Sequence, residues 1–171
     1  MSRPVLSSAR ARRMHSAQEE QHMAAPNPAN DTRHRYSATS LRDFTAGVFR
    51  HYGVAAADAA LGADVLIDAD LAGIESHGIA HLPWHPGYAP GLKQGIVNAA
   101  PTISVLRDSP VAATWDAGGG IGVVTSQKAM AACIEKARAT GIGMITVRNG
   151  RHYGAAGYYA HMAASQDMIG M

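Results

Sequence analysis

Two histidines stand in glycine-flanked loops and are the side chains best suited to move a proton. His77 lies in the stretch Glu-Ser-His-Gly, and His152 lies in Asn-Gly-Arg-His-Tyr-Gly. An imidazole can act as general acid or base near neutral pH, and loops that follow regular elements often carry catalytic groups. Ser76 is placed to orient the first histidine, and Asn149 or Arg151 to orient the second. Either histidine taken alone also fits an ordinary surface or capping residue.

A metal site is a second interpretation of the same region. His77, His81 and His85 are four residues apart, which on a helix would place three imidazoles on one face as metal ligands. Pro83 and Pro86 oppose a continuous helix, because each removes a backbone donor and clashes with the preceding turn. No cysteine or second acidic ligand completes the set. We therefore predict no metal site and interpret these residues as unconnected loop histidines.

A glycine run at 118–122 suggests a nucleotide-binding turn, but its spacing fits poorly. It supplies G-x-G, yet the third glycine position is Thr125 and no acidic residue follows at the expected distance. A tight turn between a strand and a helix explains these glycines equally well. Cys133 falls within a predicted helix, which favours a buried, inert thiol over a nucleophile. The residues alone therefore indicate an α/β protein with two candidate acid–base histidines.

Hydrophobic spacing predicts the elements that position these side chains. In chain order these are a helix between a cap at Thr39 or Ser40 and Gly53, a helix from about Ala56 to Leu71, a loop with a short helix near Leu92, a hairpin over 102–116, a helix over 123–140, a short buried strand at 144–147, a helix over 155–166 and the first half of a strand at 168–171. A domain that stops inside a strand lacks that strand's partner, so we expect an incomplete chain.

Composition describes a globular protein with a basic tail. Of the 171 residues, 47% are hydrophobic and 16% are charged, which is too apolar for a disordered chain. Aromatic residues make up only 6%, so we expect a core of small side chains and closely packed helices. Residues 1–36 contain six arginines and three acidic residues and lack apolar periodicity. We predict a disordered tail at 1–36, a helical segment at 37–100 and the first part of an α/β domain at 101–171.

The tail has three interpretations, and the remaining chain excludes several partners. The tail has the composition of an organelle transit peptide, but an N-terminal extension or a start codon placed too early explains it as well. The body is close to neutral, which argues against binding of nucleic acid. No apolar run reaches the roughly 18 residues of a membrane-spanning helix. The single cysteine, Cys133, suits a reducing compartment, so we expect a cytoplasmic protein.

The stretch Ile67–Ala80 is similar to the signature of the type-2 malate/L-lactate dehydrogenase family. This family also includes ureidoglycolate, sulfolactate and diketogulonate enzymes. Further matches follow in the same order and at matching separation, from about Ser37 to the end. They are the Gly-Gly-Ile-Gly turn at 119–122, Ala129-Met130, Gly141–Met144, Val147–Asn149, His152–Tyr159 and Met168–Met171.

The resemblance implies reversible hydride transfer between NAD or NADP and C2 of a 2-hydroxy or 2-oxo acid such as malate or lactate. It implies a mixed α/β fold that is not of the Rossmann type, and a homodimer with the active site near the interface. By resemblance, His77 and His152 are the positions proposed in different members as proton donor or acceptor to the substrate oxygen. Ser76 would hydrogen-bond substrate or nicotinamide.

Two departures from the family pattern limit the transfer of roles, one at His81 and one at Pro86–Gly91, which replaces what is usually a regular helix. His81 stands where many members carry an arginine that would clamp the substrate carboxylate through two hydrogen bonds. We therefore expect an altered substrate or a carboxylate held by another residue, for which Arg151 is a candidate. Family members are also considerably longer, and most of their nicotinamide-binding residues lie beyond residue 171, so the cofactor-binding residues are unknown. The alternative hypothesis is a truncated, catalytically inert dimerisation or interaction module of the same family.

Overall fold

A computed structural model describes residues 34–171, so most of the predicted tail at 1–36 lies outside the described residues. The helices are α1 (Ala38–His51), α2 (Ala56–Leu71), α3 (Ala89–Lys93), α4 (Gly122–Thr140) and α5 (Ala156–Ala164), and the strands are β1 (Ser104–Asp108), β2 (Ala112–Asp116) and β3 (Met144–Arg148). Two single-turn 3₁₀ helices, Glu75–His77 and Ile79–His81, lie between α2 and α3. None of these helices combines the length and apolar character needed to cross a membrane.

Helix α2 is central to the core because its small residues let neighbouring helices approach closely. Ala59 and Leu66 are fully buried, and Gly62 lies against the ring of Phe49 from α1. The same helix also packs against α4. Full burial of Phe49 stabilises the fold by about 2 kcal/mol. The core therefore consists of small side chains around a few large ones, of which Phe49 and Tyr88 are the largest fully buried.

Local sequence signals set the ends of the helices. Ser37 caps α1, because its hydroxyl accepts the backbone N–H of Ser40 at 3.0 Å. The prediction of Thr39 or Ser40 as the cap is therefore wrong by two or three residues. Helix α4 ends at Gly141, whose φ of 89° is a left-handed conformation that glycine adopts without steric cost.

The sheet has three strands in the order β1-β2-β3 and contains both pairing types. Strands β1 and β2 form the predicted antiparallel hairpin, with an irregularity between Val105 and Arg107. Strands β2 and β3 are parallel, in a register that runs from Ala112 opposite Met144 to Asp116 opposite Arg148. A parallel pair needs a crossover connection, which α4 supplies here.

Two sequence expectations about the end of the sheet are wrong. Strand β3 is mostly exposed rather than buried, because it lies at the edge of the described sheet. Residues 168–171 do not form a strand. The Met168 N–H donates instead to the carbonyl of Ala163 at 3.1 Å, which turns this segment back against the end of α5.

One glycine allows the loop that carries His152 to lie directly on the start of α4. Gly122 is the first residue of that helix. A Cβ at this position would overlap with the carbonyl oxygens of Arg151 and His152. Because backbone atoms rather than flexible side chains lie in this space, relief would require a shift of the loop.

Replacement of Gly122 with alanine should therefore lower the free energy of unfolding by about 1–3 kcal/mol. Gly157, in α5, is the matched control, since a Cβ there meets no atom within 4 Å. Gly157→Ala should be neutral or stabilising by up to about 1 kcal/mol. Urea unfolding of the protein in its natural length measures both effects. Equal stability of the two variants would show that the contact at Gly122 is not restrictive.

Candidate active site

The loop that carries His77 is fixed to the end of α2 by a carboxylate. Asp70, in the last turn of α2, accepts the backbone N–H of Ile79 at 2.9 Å. Burial raises the pKa of Asp70, and the hydrogen bond from Ile79 acts in the opposite direction. A Cβ on Gly78 would overlap with this carboxylate. The glycine of the Ser-His-Gly stretch is therefore a steric requirement of the loop.

Separate short turns, rather than one helix, carry the histidines at positions 77, 81 and 85, as the two prolines predict. The His81 N–H donates to the Gly78 carbonyl at 3.1 Å, and the His85 N–H donates to the His81 carbonyl at 3.0 Å. The interpretation of these residues as unconnected is wrong. The ring centroids of His77 and His81 are 5.9 Å apart, and those of His81 and His85 are 5.1 Å apart. The compact turns bring the rings together without a continuous helix.

The loop that carries His152 is anchored where β2 and β3 end. Asp116 accepts the Gly118 N–H at 2.8 Å. It also accepts hydrogen bonds from Arg148 Nε at 2.8 Å and Asn149 Nδ2 at 3.1 Å. These bonds hold the pKa of Asp116 below its ordinary value, and the bond from Gly118 has the largest effect. The one carboxylate therefore fixes the exits of both strands.

The two loops meet at four imidazole rings, those of His77, His81, His85 and His152, which we call the imidazole cluster. His152 stacks on His77, with ring centroids 5.6 Å apart and planes inclined by 25°. Its centroid is also 4.4 Å from that of His85 and 5.5 Å from that of His81. All four residues are half-buried. Four groups that exchange protons are thus gathered at one point that solvent can reach.

A buried tyrosine fixes the tautomer of His152. The Tyr88 hydroxyl lies 2.8 Å from His152 Nδ1, and the Gly154 N–H donates to the same nitrogen at 3.3 Å. A backbone N–H can only donate, so Nδ1 is an acceptor without a proton and the Tyr88 O–H donates to it as well. Burial raises the pKa of Tyr88, which keeps that O–H protonated. The neutral His152 ring therefore carries its proton on Nε2.

Burial and neighbouring rings oppose protonation of two members of the imidazole cluster, His81 and His152. Burial lowers the pKa of His152 to about 4, and the other three histidines act in the same direction. The pKa of His81 is also lowered, first by burial and then by His85 and His77. The Nδ1 atom of His81 is buried without a hydrogen-bond partner. Near pH 7, His81 and His152 are therefore neutral, because the partly buried site disfavours like charges.

The contacts within the imidazole cluster are those of packed rings. His77 and His81 meet with an interplanar angle of 70°, and His81 and His152 with one of 87°. In the range 34–171, no group of three or more His, Cys, Asp or Glu side chains is arranged to hold a metal ion. The arrangement is suited to proton exchange and to contact with a polar ligand.

Three backbone donors of the glycine run at 118–122 are already engaged. The N–H groups of Gly118, Gly119 and Gly120 donate, at 2.8–3.0 Å, to oxygens of Asp116, Asn149 and Ala117 respectively. A phosphate-binding turn needs free amide donors, and the Asp116 carboxylate adds negative charge beside this one. The geometry agrees with the interpretation as a tight turn, and the amides of Gly118, Gly119 and Gly120 are not free to bind a cofactor phosphate.

The predicted site residues fall in two places. Three of the five belong to the imidazole cluster, and Ser76 adjoins it, since its Oγ lies 3.0 Å from His77 Nδ1. Arg151 is directed elsewhere, because its Nη2 donates to the carbonyl of Ile96 at 2.7 Å. Contact between Arg151 and a ligand in the cluster would require loss of that bond.

Sequence reasoning missed two residues of this site. The four-residue spacing of His85 from His81 was a usable signal, but it was weighed only as a metal-ligand pattern. Tyr88 offered no local signal, because its bond to His152 joins residues 64 positions apart in the chain.

A separate apolar groove of about 710 Å³ is bordered by α4, β3 and α5. Its lining includes Met130, Cys133, Ile134 and Val147, and the four histidines do not line it. Cys133 is a free, half-buried thiol. The groups suited to proton transfer therefore lie in the imidazole cluster, which is the candidate active site.

The fold and the site together define a mixed α/β protein that gathers acid–base groups at one accessible point. Residues 36–171 match the malate/L-lactate dehydrogenase family. The chain belongs to this family, which confirms the resemblance that the Ser-His-Gly region and the later motifs indicated.

Individual relatives share the same part of the chain. Malate dehydrogenase from Pyrococcus abyssi is 46% identical over 137 residues, which cover 80% of this chain and 37% of that protein. L-sulfolactate dehydrogenase from Methanocaldococcus jannaschii is 44% identical over 124 residues, which cover 72% and 35%. The structure of malate dehydrogenase from Pyrococcus horikoshii OT3 has a TM-score of 0.75 at 40% identity and covers 80% and 38%. The chain thus spans little more than a third of the length of these relatives, and the predicted mixed α/β fold class is confirmed.

The pKa of His152 is open to direct measurement. Its Cε1–H NMR signal should titrate with a pKa of about 4 instead of the ordinary 6.5. Since the folded-state pKa is the lower one, the unfolded chain binds more protons between these values, and His152 destabilises the fold as pH falls through that window. His152→Asn should therefore make the unfolding free energy less sensitive to acid between pH 7 and 4. A titration of His152 at pH 6.5 or above would contradict the described environment.

Replacement of Tyr88 with Phe removes one O–H donor and leaves the ring. We expect His152 to shift partly to the tautomer with its proton on Nδ1, which ¹⁵N chemical shifts of the ring report. Stability should fall by about 1 kcal/mol, the usual loss for one hydrogen bond. Tyr158→Phe is the control, because the Tyr158 hydroxyl accepts from Gln127 and touches no histidine of the cluster. An unchanged His152 tautomer in Tyr88→Phe would remove Tyr88 from this role.

Proposed function

We propose that the whole protein is an oxidoreductase that transfers a hydride between NAD or NADP and C2 of a 2-hydroxy or 2-oxo acid such as malate or lactate. The observation that carries the proposal is the stacking of His77 on His152, with centroids 5.6 Å apart, in a chain of the malate/L-lactate dehydrogenase family. Relatives named malate dehydrogenase and L-sulfolactate dehydrogenase support this class of substrate.

In this proposal His77 is the proton donor when a 2-oxo acid is reduced and the acceptor in the reverse direction. Reduction at the carbonyl carbon leaves negative charge on the oxygen, which an imidazolium can protonate. The Ser76 hydroxyl, 3.0 Å from His77 Nδ1, orients the ring and leaves Nε2 to face the substrate. Ser76 is also a candidate to hydrogen-bond the substrate or the nicotinamide.

His152 contributes a hydrogen bond from a neutral ring. Its Nδ1 accepts from Tyr88 and Gly154, so the proton on Nε2 is the one available to the substrate oxygen. A preorganised donor of this kind stabilises the charge that develops on that oxygen. The low pKa of His152, about 4, favours this role over that of an imidazolium acid. Of the two candidate histidines, His77 is therefore the principal acid.

The substrate carboxylate is assigned to His81, with Arg151 as a second candidate. His81 lies within the imidazole cluster, 5.5 Å from His152 and 5.9 Å from His77 between ring centroids. Arg151 would first have to release the carbonyl of Ile96. A single imidazole offers fewer donors than a guanidinium, so the clamp differs from a bidentate one.

The proposal gives the cofactor a chemical role but assigns no residues to bind it. NADH or NADPH, when bound, supplies the hydride. The glycine turn at 118–122 is not assigned to it, since the amides of Gly118, Gly119 and Gly120 are engaged. The cofactor-binding residues stay unassigned. A homodimer with the site near its interface, and a cytoplasmic location, are part of the same proposal, the second because a lone cysteine suits a reducing compartment.

Steady-state kinetics of the protein in its natural length test this function, with a panel of 2-oxo acids and both NADH and NADPH. His77→Ala should lower kcat by a factor of about 100 or more, and His152→Ala by a similar factor. His161→Ala is the matched control, because His161 is exposed on α5 outside the cluster. Its kcat should equal that of the unmodified protein.

These kinetic measurements distinguish the dehydrogenase from the inert interaction module. Near-normal turnover by both single variants would overturn the assignment of the site. A folded protein that oxidises NADH and NADPH with none of the acids, and binds neither cofactor, would favour the inert interaction module instead.

A further inference from the structure

We propose that Asp116 and Asn149 are positioning residues for His152, because the hydrogen bond between their side chains sets the direction in which the chain leaves β3 and so delivers the imidazole to the cluster. Neither residue is among the groups assigned to the substrate or the cofactor. The consequence for turnover rests on the proposed function, whereas the consequence for the His152 ring does not.

Asn149 has a backbone conformation that few residues adopt. It is the first residue after β3 and has a φ of 53°. This left-handed region is unfavourable for most residues that carry a side chain, and Asn is one of the few that enter it. Such conformations persist where the surrounding structure supports them, and they are common at functional sites. The path of the chain after β3 therefore depends on what holds Asn149.

Two hydrogen bonds hold Asn149 in this conformation. Its Nδ2 donates to Oδ1 of Asp116 at 3.1 Å, and its carbonyl accepts the Gly119 N–H at 3.0 Å. The Asp116 side chain is 17% exposed and is itself fixed by the Gly118 N–H at 2.8 Å. Its ion pair with Arg148 is weakened by solvent, since the arginine side chain is 68% exposed. The contact with Asp116 is thus the side-chain bond that acts on the left-handed residue itself.

The chain between Asn149 and His152 transmits a change at its start. Gly150 comes next, and a Cβ there would meet other atoms at 3.8 Å, an ordinary van der Waals distance. Tight packing therefore does not restrain Gly150. Arg151 follows, and its Nη2 donates to the carbonyl of Ile96 at 2.7 Å, which fixes the end of a long side chain. A different φ at Asn149 would redirect the backbone that carries His152.

The His152 ring is sensitive to a change of this kind. Its Nδ1 lies 2.8 Å from the Tyr88 hydroxyl, and the ring stacks on His77 with centroids 5.6 Å apart. Hydrogen bonds are lost when donor and acceptor separate by about 1 Å more than the usual distance. A misplacement of about 1 Å in an active site can lower the rate about a hundredfold. Asn149 is directed at Asp116 rather than at the ring, so the pair acts through the backbone.

NMR of His152 in the protein at its natural length tests the inference. Asn149→Gly keeps the left-handed conformation without steric cost and removes the side chain. The melting temperature should therefore stay within about 4 °C of that of the unmodified protein. The pKa of His152 should rise from about 4 toward the ordinary 6.5, because the ring loses its fixed, partly buried place. A role of Asn149 in stability alone would leave this pKa unchanged.

Exchange of the two side chains tests the hydrogen bond itself. Asn149→Asp places two carboxylates side by side, and their repulsion should release the loop. In the double variant Asp116→Asn/Asn149→Asp, donor and acceptor change places, so a hydrogen bond between the two side chains can form again. We expect the His152 signal of the double variant to return most of the way to that of the unmodified protein. Two independent losses would not compensate each other in this way.

Turnover of a 2-oxo acid gives a second measurement. Asn149→Gly and Asn149→Asp should each lower kcat by about ten- to a hundredfold. The KM for NADH or NADPH should change by less than about threefold, because the pair is not assigned to the cofactor.

Two matched controls separate this effect from general damage. Asp167 also has a left-handed backbone, with a φ of 58°, but it lies beyond α5. Asp108 forms an ion pair with Lys136 at the end of β1, away from the His152 loop. Asp167→Gly and Asp108→Asn should both keep the kcat and the His152 signal of the unmodified protein.

Failure of the inference differs from failure of the proposed function. An unchanged His152 pKa in Asn149→Gly and Asn149→Asp would overturn the inference and leave the function standing. A double variant that recovers neither the His152 signal nor kcat would also overturn it, because the hydrogen bond would then not be the positioning contact. A protein that reduces none of the acids would overturn the function, and the NMR measurements would still decide the inference.

Discussion

The hydrogen bond between Tyr88 and His152 joins the helical part of the chain to the sheet. Tyr88 lies directly before α3 and is fully buried, whereas His152 follows β3. Water cannot replace a partner of a hydroxyl at this depth, and loss of one partner of a buried pair costs about 1–3 kcal/mol. This bond and the one from the Gly154 N–H together leave the proton of His152 on Nε2. A long-range contact therefore helps to define the ring that stacks on His77.

The imidazole cluster places acid–base side chains in a partly buried site, although burial disfavours the charged form of such groups. A fold selected for stability alone would give partly buried imidazoles carboxylate partners or replace them with apolar residues. Here four rings lie together, one with an unpaired Nδ1 and one with a pKa of about 4. Sites that break local stability rules are frequently functional ones.

The elements were predictable from the sequence to a greater degree than their contacts. The spacing of apolar residues placed α2 at Ala56–Leu71, as observed, because helical periodicity is a local property. The burial of β3 was not predictable, since it depends on what lies beside the strand. The cluster was missed for a related reason. Pro83 and Pro86 correctly excluded a helix, but separate turns brought the rings together, and their path depends on Asp70 and Gly78.

Two glycines allow the loops that carry the histidines to pack closely on the elements beneath them. Gly78 lets the first loop lie on the Asp70 carboxylate, and Gly122 lets the second lie on the start of α4. The second loop has a further neighbour, because Tyr153 lines the apolar groove while the adjacent His152 belongs to the cluster. The hydroxyl of Tyr159 donates to the Tyr153 carbonyl and fixes that residue in turn. Successive residues thus face two different environments, so a displacement of Tyr153 would pass to the His152 ring through a single peptide unit.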